Sequence, residues 1–333
     1  MLRFFINDFF KMIKSPTHKL SFDSLSKVIQ NETLVNELIN RNKFQDAWRE
    51  KLGYKLSNEK YKILKLTIIK DNDIIKVCVK VAHKFKFSNY PNKIESSETQ
   101  DYVFIIKKSS KGNIILDLCN KELNPTLYDK LLAIDSNYFN KNSQSRSLKE
   151  RSRIEYFENL YKNIDKLAME FHKSFTLYRS NYNDSPRGTY NPLAAVRYAR
   201  KYALNYNPEY NSYGGIGGDC TNYISQCIKA GGIRTTNVWK PYSHPWIRVN
   251  ELYYYLLRNG NGVDITKNKS YPIGSIIQFF SNKKGYYSHS GIITESLANG
   301  DYLYCCHSYD KLDFPLSEIY PLFYDKFRIV NPI

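Results

Sequence analysis

The segment 217–232, GGDCTNYISQCIKAGG, constrains the second half of this chain more than any other stretch. Gly214, Gly215, Gly217 and Gly218 supply a flexible approach, and Asp219 is a good N-cap. Gly231 and Gly232 stop what lies between. The pattern predicts a helix that opens at or beside Cys220 and runs to Ala230. GSIIQFFS, HSGIITES, DYLYCCHS and KFRIVNPI follow as predicted strands. One helix carrying a cysteine, followed by a small antiparallel sheet, is an α+β arrangement.

The thiolate, not the thiol, attacks carbonyls. The first turn of a helix favours a thiolate through the helix dipole and free backbone N–H groups, and the same N–H groups can hold an oxyanion. Cys220 therefore stands where a nucleophile belongs. Cys227, two turns on among Ile224, Ile228 and Ala230, is expected in the core. A nucleophilic cysteine needs a base, and the chain has 6 histidines. His289 opens one predicted strand and His307 closes the next. Adjacent antiparallel strands would bring the two imidazoles together, one as base and the other as its orienter. His244 is expected in a loop and His172 as a structural residue on a helix.

The first half differs in pattern. Leu2, Phe5, Ile6, Phe9, Phe10 and Ile13 recur at helical spacing, predicting an amphipathic helix packed on its own domain. Helical spacing returns in 21–50. YKILKLTIIK, DIIKVCVKVAHKFKF, QDYVFIIKKSS and GNIILDLC then predict four strands, with hairpin turns at 70–73 and 110–113. This element order resembles a cystatin-like or nuclear-transport-factor-like cone, a curved antiparallel sheet wrapped on a helix. A long helix is expected over 148–175, and the turn-rich 180–191 marks a boundary. A further helix opens after Asn191, with Pro192 in its first turn. The expected organisation is a basic α+β domain at 1–145, a linking helix and turn-rich linker at 146–189, and a catalytic domain at 190–333.

The net charge is +17. Residues 1–180 hold 33 Lys and Arg against 21 Asp and Glu (+12), and residues 181–333 hold 16 against 11 (+5). Such a chain favours polyanions, and the basic half is the candidate contact for an anionic wall polymer. Nucleic acid is not expected, since no nucleic-acid-binding motif and no compact Lys/Arg block is present. The 6 cysteines form no C-x-x-C pair and the histidine spacing fits no zinc finger, so neither disulfide framework, metal nor cofactor is expected. Cys305 and Cys306 are adjacent, on opposite faces of any strand. No apolar run is long enough to span a membrane, and the N-terminal apolar segment lacks a small-residue cleavage site. Synthesis in the cytoplasm is expected, with a site of action at the cell wall reached by lysis or non-classical release.

GGDCTNYISQCIKAGG, YYSHSGIIT and YLYCCHSYD together resemble the putative amidase domain family of Gram-positive bacteria. That family is similar to the NlpC-type and CHAP cell-wall peptidases, which share a papain-like fold. Asp-Cys-Thr stands where those enzymes usually show Asp-Cys-Ser, and His-Ser-Gly-Ile where they show His-Val-Gly-Ile. The resemblance covers about residues 190–333. It implies Cys220 as nucleophile, His289 as general base and His307 in the orienting third position, with Asn222, Asp310 or a tyrosine as alternatives for that position. Papain-like enzymes often carry an upstream glutamine for the oxyanion. None stands between Asn205 and Asp219, which leaves a backbone N–H at Cys220, with Asp219 and Asn222 as supporting residues.

The implied activity is a cysteine-dependent amide hydrolase acting on peptidoglycan or a related peptide. Two other classes compete: a non-catalytic wall- or polyanion-binding protein on a papain-like fold, driven by the basic half, against which the joint presence of Cys220, His289 and His307 argues; and a cysteine peptidase or acyltransferase with a protein substrate, which the same triad would serve. The aromatic-rich segment with Trp239, Tyr242, Trp246 and 253–255 is expected in the core, with groove lining as the alternative.

Overall fold

A computed structural model describes residues 2–13, 20–88, 90–91, 94–110, 112–133, 146–176, 189–214 and 218–333. The chain divides into two compact units. One comprises Met1–Ser88 and Thr99–Asp165, and the other Asn89–Glu98 and Lys166–Ile333. Helices combine with antiparallel sheet in each, and the fold class is α+β.

The first unit opens with α1 (Leu2–Ile13), α2 (Phe22–Ser26) and α3 (Glu32–Lys51). A meander of β1 (Leu56–Asp71), β2 (Ile74–Phe87), β3 (Ser96–Ser109) and β4 (Gly112–Asn120) follows. The first hairpin turns at Asn72-Asp73, where Asn72 takes a left-handed φ of 51°. The second expected turn includes Lys111, outside the described residues. Alternation decides what each face of β3 covers. Phe104 and Ile106 join Val77, Val79 and Val81 of β2 against Ile6, Phe9, Phe10 and Ile13 of α1. Val103 and Ile105 instead meet Tyr128 and Leu131 of α4 (Pro125–Ala133). The apolar stripe of α1 is thus spent on its own unit, as its spacing predicts. The single helix expected over 148–175 is two, α5 (Arg146–Lys162) and α6 (Ile164–Ser174). The interruption is at Asn163, whose side-chain amide donates to the Asn159 carbonyl at 2.8 Å, a local bond that competes with regular helix. The expected boundary at 180–191 falls largely on 177–188, outside the described residues.

The second unit stacks α7 (Pro192–Tyr202), α8 (Cys220–Ala230), α9 (His244–Ile247) and α10 (Val249–Arg258) on one face of an antiparallel sheet. The sheet order is β9 (Lys311–Pro315), β8 (Tyr302–Cys306), β7 (Tyr286–Ser296), β6 (Ile276–Ser281), β10 (Lys326–Pro332) and β5 (Gly262–Asp264). Asn191 caps α7 by accepting from the Ala194 N–H, and Pro192 occupies its first turn. The core between the layers holds Ala195 and Ala199 of α7, Tyr223, Ile224, Cys227 and Ile228 of α8, and Ile276, Ile292, Cys305 and Val330 of the sheet. Trp239, Trp246 and Tyr255 belong to this core, whereas Tyr242 and Tyr254 are exposed. Two glycines close α8 for different reasons. A Cβ on Gly231 would lie 2.4 Å from the Tyr190 ring, and Gly232 has φ +108° beside the Thr189 carbonyl. The first residues of β3 also belong to this unit, with Ser97 and Glu98 pairing Leu312 and Lys311 of β9.

Candidate active site

The cysteine helix starts where its glycines and Asp219 predict. Cys220 is the first helical residue of α8 and is 7% exposed. Its thiol lies 3.8 Å from the Thr221 hydroxyl, and the backbone at Ser290 and Thr221 hydrogen-bonds it. Burial pushes the thiol's pKa up. The Thr221 hydroxyl and the two backbone groups oppose that shift, while the neighbouring charge of Asp219 adds to it. Thr221 and Ser290 also face each other, with their hydroxyls 3.3 Å apart, fastening the start of α8 to β7.

That fastening brings His289 to the site through the backbone, since Ser290 is its neighbour in β7. The imidazole is buried beside Phe279 and Tyr324, with ring centroids at 5.9 and 6.2 Å. Neither ring nitrogen hydrogen-bonds Cys220 or His307. Burial, with the charges of Lys311 and Lys284, pushes the His289 pKa down to about 3. The ring is therefore neutral at physiological pH.

His307 does not meet His289, because both of its nitrogens are engaged elsewhere. Nδ1 lies 2.6 Å from Asp219 Oδ2, and Nε2 donates to the Tyr202 carbonyl at 2.8 Å. The ring is sandwiched between Tyr206 at 3.8 Å and Tyr223 at 4.0 Å, nearly parallel to both. In this arrangement it supports the start of α8 and does not orient the other histidine.

The remaining candidates join the same network. Asp219 makes no side-chain cap to the helix. Its Oδ1 accepts from the Tyr213 N–H at 2.8 Å and from Asn222 Nδ2 at 2.9 Å, and its own N–H donates to the Ser308 hydroxyl at 2.5 Å. Asn222 also donates to the Asn211 carbonyl and accepts from the Trp246 indole, each near 2.9 Å. Its two amide protons are thereby used, which takes it out of the expected oxyanion role. Asp310 accepts from the Tyr206 hydroxyl at 2.9 Å, on the ring that covers one face of His307. His244 opens α9 instead of lying in a loop. Among the described residues no group of three His, Cys, Asp or Glu is arranged to hold a metal ion. No helix among them is long and apolar enough to cross a membrane.

Sequence reasoning missed the tyrosines around His307. Tyr206 lies in no motif and Tyr223 lies within the 217–232 segment without a chemical role assigned to it; the return of β8 to α8 brings both to His307.

The second unit is thus an α+β domain with a buried cysteine at the first turn of a helix and a neutral histidine on the strand beside it. Residues 189–329 match the model of the family described as a putative amidase domain. The description points to hydrolysis of amides. Two similar proteins come from Bacillus subtilis (strain 168). Uncharacterized protein YjcM is 32% identical over 136 residues, covering 38% of this chain and 32% of that protein. Uncharacterized protein YhbB is 29% identical over 117 residues, covering 31% and 37%. The chain thus spans about a third of the length of these relatives. A solved structure, the intermembrane space region of chloroplast protein ARC6, aligns over 34% of this chain and 86% of its own at 15% identity. Its TM-score of 0.23 is too low to inform the fold.

Proposed function

We propose that the second unit is a cysteine-dependent amide hydrolase with Cys220 as nucleophile and His289 as general base, acting on an amide bond of peptidoglycan. The observation that carries this reading is the placement of Cys220 at the opening of α8, with its thiol on the backbone of Ser290, next to His289. The base begins neutral, as its role requires. Substrate binding has to close the gap between imidazole and thiol, a tightening common between free and occupied sites. His289 then takes the thiol proton, and the sulfur bonds to the amide carbonyl carbon. The oxyanion is held by N–H groups at the start of α8, which Asp219 leaves uncapped. Collapse breaks the C–N bond, His289 gives the proton to the leaving amine, and water hydrolyses the thioester.

The peptidoglycan assignment rests on the resemblance of the Asp-Cys-Thr and His-Ser-Gly-Ile segments to papain-like wall peptidases. The charge of +12 over residues 1–180 supports an anionic wall polymer as partner of that half. The test compares wild type with Cys220→Ala on purified Gram-positive sacculi, with soluble products read by mass spectrometry. New amino termini or free stem peptides from wild type alone are expected, and their masses identify the bond. Equal release by both proteins would overturn Cys220. Binding of folded wild type without release would favour a binding module, and neither binding nor release would redirect the assignment to a protein substrate.

A further inference from the structure

We propose that His307 is a positioning residue for Cys220: as an imidazolium clamped between Tyr206 and Tyr223, it neutralises Asp219 and fixes the opening of α8. The proposal rests on the reading of Cys220 as nucleophile. It assigns His307 to the helix start and not to a catalytic triad.

The hydrogen-bond inventory requires two protons. The Tyr202 carbonyl only accepts, so Nε2 carries one. The 2.6 Å contact between Nδ1 and Asp219 Oδ2 needs a second, on the ring or on the carboxyl. The two tyrosine faces decide where it resides. Ring faces carry negative potential, and here one lies on each side of the imidazole at 3.8 and 4.0 Å. The charged and titratable groups around His307 are Asp219 and Tyr223 from the α8 side and Tyr206 from the segment after α7, with Asp310 one hydrogen bond beyond Tyr206.

The consequence reaches Cys220 through one peptide bond. Asp219 is 1% exposed and ties the preceding loop, through Tyr213, to the first turn, through Asn222. An uncompensated carboxylate there would oppose thiolate formation, since charge on Asp219 raises the thiol's pKa. The imidazolium cancels that charge while leaving the carboxylate oxygens in place as acceptors.

The test uses the full chain. In wild type labelled with 15N-histidine, the His307 imidazole is expected with both nitrogens protonated at neutral pH, assigned as the doubly protonated signal that vanishes in His307→Gln. A neutral His307 in wild type would overturn the proposal. The second readout is iodoacetamide modification of Cys220 against pH, by peptide mass spectrometry, with Cys227 and Cys305 as internal reports of unfolding. His307→Gln should move the profile to higher pH and slow modification at pH 7 about tenfold, one pKa unit. His307→Gln with Asp219→Asn should restore most of the rate, because the exposed charge is gone. An unchanged profile in His307→Gln, or no recovery in a double variant whose Cys227 and Cys305 stay protected, would overturn the proposal. If Cys220→Ala still cleaved sacculi, the hydrolase reading would fail, while the alkylation and NMR results would still decide the role of His307.

Discussion

Each unit buries a histidine against a carboxylate and stacks it on aromatic rings. In the first, His83 Nε2 lies 2.8 Å from Glu59 Oε1, which also accepts from the Tyr61 hydroxyl at 2.7 Å. The imidazole is parallel to Tyr61 at 4.3 Å and lies 4.9 Å from Phe85. In the second, His307 and Asp219 repeat the chemistry with Tyr206 and Tyr223. The locations separate them. Tyr61 and His83 are registered partners across β1 and β2, so the Glu59 pair is a cross-tie between two strands. The Asp219 pair joins the end of a strand to the opening of a helix, one residue from a thiol. A histidine and a carboxylate in contact therefore define no activity alone; what they brace gives them meaning.

The largest test of this contrast lies in a third buried pair. Lys311 donates to Glu98 at 3.0 Å inside the second unit, with both side chains almost fully buried. Glu98→Ala should cost about 3–5 kcal/mol in denaturant unfolding, because a buried ammonium loses its carboxylate. A loss under about 1 kcal/mol would mean that the interior of this unit tolerates uncompensated charge, and the importance given to Asp219 and His307 would fall with it.

Next comes pH. The folded pKa of His289 lies near 3, below the ordinary 6.5. Its contribution to stability is complete above 6.5 and is lost as pH falls from 6.5 toward 3, when the unfolded chain takes up a proton that the folded one refuses. The slope is about 1.4 kcal/mol per pH unit. His289→Gln should remove that slope, measured by unfolding between pH 6.5 and 4. An identical pH dependence in the variant would show that the imidazole is not held neutral.

His83→Leu should destabilise the first unit by about 1–3 kcal/mol, the cost of depriving a buried acceptor of a partner. Hydrogen exchange should report the loss in β1 and β2, with iodoacetamide modification of Cys220 unaltered. A changed modification rate would erase the distinction between the two pairs. Smallest is Tyr206→Phe, which keeps the ring over His307 and removes the bond to Asp310. A cost of about 0.5–1.5 kcal/mol is expected, with the pH profile of Cys220 modification preserved. A shifted profile would assign part of the positioning to Asp310.

Local signals in the sequence foretold much of this architecture. The limits of α8 follow from Asp219 and the paired glycines, α7 from Asn191 and Pro192, and the strands from alternation and turn residues. Cys220 is marked by the helix it opens, whereas His289, expected at the start of its strand, lies three residues inside β7. The role expected of His307 was not legible, because strand order says two histidines are near without saying which atoms their nitrogens face. Tyr202 and Asp219 claim both, and neither is close to His307 in sequence. The break at Asn163 is not legible in the sequence because a uniform apolar stripe crosses it. The pairing of Glu98 with β9 is hidden because residues 96–98 lie in a run whose pattern speaks only of the strand they begin.

That last pairing bears on how such a protein is inherited. The family match begins at residue 189, yet Glu98, which neutralises Lys311 within the second unit, is encoded far upstream of it. Ser96 adds a bond to the Asp313 carbonyl from the same short stretch. A recombination event that copied only the matched stretch would leave behind a strand end and a counter-ion. The matched stretch alone therefore lacks one strand end and one buried counter-ion of the unit it encodes, and a fragment cut at residue 189 would expose Lys311 without Glu98.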